Sequence, residues 1–453
     1  MLAYGLGVLP LIKLLKKPLD WIQNWYADDS ACCAALENLL EWFKALIENG
    51  PKYGYYPEPN KSYLVVHANF VEQARILFAG FDINIVTGSR FLGGFIGSDQ
   101  ATNLWIGEKV HSWNKAISKL ANAATNFPQA AFTALTKSLQ NEWLFVQRVL
   151  DGYEHQFSIL KESLKSDFLP SLFGADFDLS AVEKDFICRP ARMGGLGIND
   201  PVSQAPLQYQ CSKLATKHLT EVLKVGSKLD LQAHLLSCKE VAKLKDANER
   251  QLREETEILL SEFPKERQRT IKRKLDFKCS GWLTVLPRED NFFDLSADEF
   301  RDSLALRYGR TPCHLPAFCD ADGEVFDVNH ALNCPRGGLV YGRHNETRDL
   351  NCNLLELAGL KNIISEPVVL DSDINGENGL RADWAVRGFW EPQKQALFDV
   401  CILNADAKSV SHLSLSAIFN QRKETKKETY SNAATARRAT FTPIIACHLR
   451  CCI

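Results

Sequence analysis

The chain reads as an α+β protein of several domains, and three observations carry that reading. Its 453 residues are enough for about two to four domains. Hydrophobic residues make up 45% and charged residues 24%, the balance of chains that bury ordinary cores. The hydrophobic period also changes along the chain: short strand-like runs near both ends enclose a long stretch of helical stripes.

Residues 4–17 (YGLGVLPLIKLLKK) form a short amphipathic pattern that Pro18 should stop. Trp21 to Tyr26 followed by Ala27-Asp28-Asp29 has the look of a hairpin. Residues 34–48 place Leu36, Leu39, Leu40, Phe43 and Ile47 on one helical face, and Asn49-Gly50-Pro51 ends that helix. Residues 61–67 and 91–97 read as strands flanking a helix near 70–79. From 101 to 260 the reading is helical, with stripes at Val110, Trp113, Ile117, Leu120 and at Trp143, Val146, Leu150, Tyr153. Such stripes mean packed core and say nothing of function. After Trp282, Pro, Gly, Cys and His become frequent through residue 344. A helix is expected over 345–361, short strands over 366–403 and a polar helix over 408–438. Residues 439–453 show no pattern.

The net charge is −2, so the chain lacks a global basic signature for nucleic acid. Residues 265–278 carry seven Lys/Arg against two acids, a local excess of five that could track a phosphate backbone or simply solvate a helix. The 14 scattered cysteines suit a reducing compartment with buried thiols better than a disulfide framework. Residues 1–15 are apolar, but Lys13, Lys16 and Lys17 follow the apolar run instead of preceding it, which argues against a secretion signal. No apolar run reaches the roughly 20 residues that span a bilayer. A nuclear or cytoplasmic protein is expected.

Three groups of residues could carry chemistry. Asp28 and Asp29 are adjacent in a tight turn. Two such acids repel unless a cation lies between them, and two-metal nucleotidyl transfer uses that arrangement. The segment 313–334 sets out Cys313, Cys319, His330 and Cys334, four soft ligands of the kind zinc takes, with His330 and Cys334 one helical turn apart. Buried thiols in a loop would look the same. Downstream, Glu366, Asp383 and Asp399 form a second acidic set. Asp399 lies inside ALFDVCIL, a strand apolar enough to be buried, where an ionised acid needs a cation or a metal. Fifteen residues separate Asp383 from Asp399, enough for a hairpin to unite them. Lys426 and Tyr430 stand four apart on one face of the polar helix.

The motifs resemble, in order, those of retroelement reverse transcriptases. WYADD resembles the signature metal-binding turn. Residues 50–66 (GPKYGYYPEPNKSYLVV) resemble the next palm motif, which implies that Lys61 approaches the incoming phosphates. FLGG at 91–94 resembles the primer grip, and RPARMGGLGI at 189–198 the glycine-rich stretch after the thumb. The C-terminal part resembles the zinc knuckle and restriction-like endonuclease of non-LTR retrotransposons. That resemblance implies Mg²⁺ ligands at Asp28, Asp29, Asp383 and Asp399. It also implies nuclease roles for Lys426 and Tyr430, and RNA template and DNA as partners. It suggests a tight ligand pair at Cys319, with Cys313 or Asp322 completing the zinc set. There are departures. Only Asp20 is acidic among the 27 residues before Asp28, so the first palm acid and the fingers are expected to lie outside this chain and polymerase activity to be lost. Ala382 replaces the usual Pro of the nuclease motif, and Cys401 stands where related nucleases place a Lys. The implied division is a palm remnant over 1–100, a helical thumb over 101–240 and a charged linker over 241–300. A zinc-knuckle-like segment (301–338), a small endonuclease-like α/β domain (339–438) and an irregular tail (439–453) follow.

Overall fold

A computed structural model describes residues 2–17, 20–174, 177–276, 280–291, 293–336, 339–371, 379–405, 407, 409–410 and 412–447. It is α+β, and the chain divides into two compact units that interleave in sequence. Residues 1–122, 134–169 and 198–255 form the first, and residues 123–133, 170–197 and 256–453 the second. A linear division into thumb and linker therefore does not describe the contacts. The helix Leu231–Ser261 runs straight through the expected border at 240.

In the first unit, the antiparallel hairpin Trp21–Tyr26/Asp29–Ala34 and the helix Leu36–Asn49 enclose a core built on Leu11, Trp21, Trp42, Phe43, Leu46 and Phe78. The first helix, Leu2–Leu14, ends before Pro18, which lies outside the described residues. The strands Tyr63–Val65 and Asn84–Val86 pair in parallel, with the helix Val71–Leu77 between them in sequence. Residues 91–97 are not one strand. They belong to a hairpin, Gly88–Phe91/Gly94–Gly97, reversed at Leu92-Gly93. Both turn residues have positive φ (47° and 82°), the conformation that two-residue hairpin turns require. Both helical stripes bury their leading residues: Val110, Trp113 and Ile117 in one, Trp143 and Val146 in the other, with Trp113 edge-on to Trp143.

The second unit holds a four-stranded sheet in the order Thr440–Cys447, Gln395–Leu403, Trp384–Arg387, Ile364–Ser365. The first two strands are parallel; the other pairs are antiparallel. Parallel neighbours need a crossover, and the helix Leu415–Ala436 supplies it. The segment read as an irregular tail is thus, through Cys447, a strand of the sheet, and residues 448–453 lie outside the described set. One sheet face packs Trp384, Val386, Phe398 and Val400 against Cys352 and Leu355 of the helix Leu339–Leu357. The other packs Ala385 and Leu397 against Tyr430 and Ala434 of the crossover helix.

Residues 189–197 of the glycine-rich stretch also belong to this unit, and two of its glycines answer to crowding. A Cβ on Gly195 would fall 1.9 Å from the Arg189 carbonyl oxygen, and Gly194 sits at φ 104°. The buried Arg307 donates to the carbonyls of Gly194 and Gly195 at 3.2 and 3.1 Å. Nearby, Glu183 is clamped by Arg267 (2.6 Å) and Arg310 (2.6 Å).

Candidate functional site

A strand exposes alternate side chains to opposite faces. In Gln395–Leu403 that rule turns Leu397, Asp399, Cys401 and Leu403 toward the crossover helix, as the packing of Leu397 on Tyr430 and of Leu403 with Ile418 requires. Asp399 is only 5% exposed, so its charge must be met inside the protein. Lys426 Nζ lies 2.6 Å from Asp399 Oδ2. The Tyr430 hydroxyl lies 2.7 Å from Oδ1 and 2.8 Å from the Arg381 carbonyl, two acceptors for its single proton. Burial together with the Asp399 hydrogen bond pushes the Tyr430 phenol well above its ordinary range.

Asp383 immediately precedes the strand Trp384–Arg387. Its N–H donates to the Phe398 carbonyl at 2.9 Å, and its carboxylate accepts the Val400 N–H. These two bonds bracket Asp399 and fix both acids at one end of the strand pair. His344 Nε2 lies 3.2 Å from Asp383 Oδ2. Burial alone would raise the Asp383 pKa. The His344 and Val400 hydrogen bonds and the His344 and Lys426 charges outweigh burial and hold it below the usual carboxylate range. The same bond, against burial, lifts His344 above the usual imidazole range.

Asp383 and Asp399 are therefore brought together by the hairpin their spacing allowed, and Lys426 and Tyr430 join Asp399 from the crossover helix. His344 was missing from that set. His344 lies inside the helix Leu339–Leu357, which begins before the position 345 expected from the sequence. One turn on, Arg348 pairs with Asp349 and Glu366, and the Glu366 N–H donates to the Asp383 carbonyl at 2.8 Å. The i, i+4 spacing of His344 and Arg348 was the available signal. Glu366 itself is exposed.

The Cys/His segment also converges, with one substitution. Cys319, Asp322, His330 and Cys334 place their ligand atoms within 4.8 Å of one another, and Cys313 is not in the group. The reason is local. Cys319 N–H donates to the Glu324 carbonyl (2.8 Å) and Gly323 N–H to the Cys319 carbonyl (2.8 Å), closing a tight turn with Gly323 at φ 76°. That turn presents Cys319 and Asp322 together, whereas Cys313 lies six residues before Cys319, outside the turn. Asp327 caps the helix Val328–Asn333, which carries His330 and delivers Cys334 at its end. The Cys334 thiol donates to Asp322 Oδ2 at 3.2 Å and holds that carboxyl below its usual range. His330 Nε2 is shielded from solvent and makes no hydrogen bond, although Asp322 Oδ1 lies 3.3 Å away. A shielded imidazole nitrogen facing two thiols and a carboxylate fits a closed, four-ligand zinc site.

The Asp-Asp turn is a two-residue reversal, Ala27-Asp28, closed by the pair Tyr26 and Asp29, with Ala27 at φ 53°. Both acids are exposed. No third metal ligand groups with them among the described residues. Lys61 ends a short turn, Pro59–Lys61, and its Nζ pairs with Glu58 at 2.7 Å.

Most of the described basic stretch is spent internally. In the helix Lys265–Asp276, Arg267 binds Glu183 and the Tyr308 carbonyl, Lys272 lies 3.3 Å from Glu257, Arg273 donates to the Ala405 carbonyl and Lys274 to that of Leu306. Lys278 lies outside the described residues. No helix among the described residues is long and apolar enough to cross a membrane. No protein-family model matches the chain, and no curated protein matches it.

Proposed function

We propose that the second unit carries a divalent-metal-dependent DNA endonuclease site, in a protein derived from a retroelement reverse transcriptase. One observation carries the reading: two carboxylates, one of them buried in a central strand, are fixed side by side with a lysine and a tyrosine from the crossover helix. An acid in that position costs stability unless it serves a cation. Asp383 and Asp399 supply hard oxygen ligands, and Mg²⁺ is commonly held by one or two carboxylates completed by water and substrate phosphate. When bound, such an ion activates water and neutralises charge on the phosphodiester. Lys426 pairs with the Asp399 carboxylate, and Tyr430 fixes its orientation. His344 orients Asp383 in the same way.

Zn²⁺ is proposed for Cys319, Asp322, His330 and Cys334, as a structural ion. For the first unit we propose a palm-derived scaffold without polymerase chemistry, because Asp28 and Asp29 have no third ligand grouped with them among the described residues. RNA template and DNA are the proposed ancestral partners, in a nuclear or cytoplasmic setting.

Supercoiled plasmid and Mg²⁺ test the nuclease. The full chain is expected to nick, and the double variant Asp383→Ala/Asp399→Ala to lose nicking. Undiminished nicking by that variant would overturn the assignment.

A further inference from the structure

The crossover helix runs antiparallel to the strand it covers, and the two repeats nearly match. Four helical residues advance about 6 Å and two strand residues about 6.6 Å. Every fourth helix residue therefore meets every second strand residue. Ala434 and Tyr430 pack with Leu397; Tyr430 and Lys426 hold Asp399; Ile418 packs with Leu403. The remaining rung pairs Arg422 with Cys401. The positions at 418, 430 and 434 are buried, yet Arg422 is exposed, so the packed face opens there. Cys401 follows Asp399 by two residues on the strand face turned to the helix, and Arg422 precedes Lys426 by four on the helix, so the matching repeats set the two on one rung. Among the described residues Arg422 makes no ion pair or hydrogen bond. Lys426, its neighbour one turn on, is already spent on Asp399.

We infer that Arg422 is the substrate-contacting cation of this site, a guanidinium that binds a nucleic-acid backbone phosphate beside the two carboxylates. It supplies from the helix the charge that Cys401 cannot supply from the strand. A guanidinium suits the task because its fork of donors matches phosphate oxygens while staying charged at every working pH. This inference rests on the nuclease reading.

The test uses the full chain. With Mg²⁺ and plasmid, Arg422→Ala should slow nicking by about 100-fold, the loss typical of removing one charge-stabilising donor. Arg422→Lys should keep most of the rate, and Cys401→Lys added to Arg422→Ala should restore much of it, because it returns a cation to the same rung. With Ca²⁺ in place of Mg²⁺, the dependence of log affinity for duplex DNA on log salt should fall in slope by about one for Arg422→Ala. Thermal melting should not move, since Arg422 is exposed. If wild type nicks and Arg422→Ala nicks equally fast, the inference falls. It falls too if nicking drops with no change in salt slope and no rescue by Cys401→Lys. If wild type does not nick, the nuclease reading fails, and an unchanged salt slope would then remove the phosphate contact as well.

Discussion

Glu183 offers a stability prediction with a worked magnitude, and it bears on whether the helix Lys265–Asp276 is a strut or a nucleic-acid patch. The Glu183 side chain is 6% exposed and lies between Arg267 and Arg310. Burial pushes its carboxyl up, but the hydrogen bonds from Arg310, the Ser180 N–H and Arg267 outweigh burial and bring it from 4.5 to about 2. A group whose pKa is depressed on folding stabilises above its unfolded value and ceases to do so as pH falls through the folded one. At the usual free-energy equivalent of a pKa unit, the clamp contributes about 3 kcal/mol at pH 7, falling to about 1 kcal/mol at pH 3. Glu183→Gln retains an oxygen for the Ser180 N–H (2.9 Å in the capping box) and so removes mainly the charge. Urea titration of both proteins at pH 7 and pH 3 measures the difference. The gap should be about 3 kcal/mol at neutral pH and shrink by about half or more in acid. An equal gap at both pH values would refute the charge clamp, and with it the internal role of the Arg267 guanidinium.

Lys426→Met should leave Asp399 buried beside an apolar side chain and cost about 3 kcal/mol in urea titration, unless Asp399→Asn accompanies it and relieves most of the loss. Gly195→Ala drives a methyl into the Arg189 carbonyl and should destabilise by about 3 kcal/mol, read as a lowered melting temperature; a neutral result would contradict the described loop. Elemental analysis should find one zinc per chain, lost in Cys334→Ser and retained in Cys313→Ser, the opposite of a site that uses Cys313. Primer extension on an RNA template should be undetectable; extension abolished by Asp28→Ala would overturn the scaffold reading of the first unit.

What was legible from sequence was local. An acid inside ALFDVCIL betrays its own cost, so Asp399 could be placed in a buried strand, and helical spacing put Lys426 and Tyr430 on one face. What was not legible came from partners distant in sequence or from turn geometry. Nothing in the spacing distinguishes Cys313 from Asp322; only the tight turn closed at Gly323 does. The strand Thr440–Cys447 was missed because Pro443 interrupts it, and a proline lacks the N–H that a central strand needs. The strand is at the edge of the sheet, where that loss is tolerated. The basic stretch looked like a surface because composition cannot show that the acceptors are carbonyls. Those acceptors, at Tyr308, Leu306 and Ala405, lie 32 to 132 residues away.

The interleaving of the two units has a consequence for how the protein is made. In the second unit, Gln129 closes on Phe293 across 164 residues, and the parallel partner of the central strand is not complete until Cys447. A ribosome releasing the chain from its N-terminus cannot finish one unit before starting the next, so residues 123–133 and 170–197 must wait for partners synthesised long after them. Such long closures slow folding and leave unpaired apolar surface open in the meantime. Fragments cut anywhere between about residue 130 and residue 440 should aggregate instead of yielding an independent domain, and expression of the second unit will demand all three of its segments.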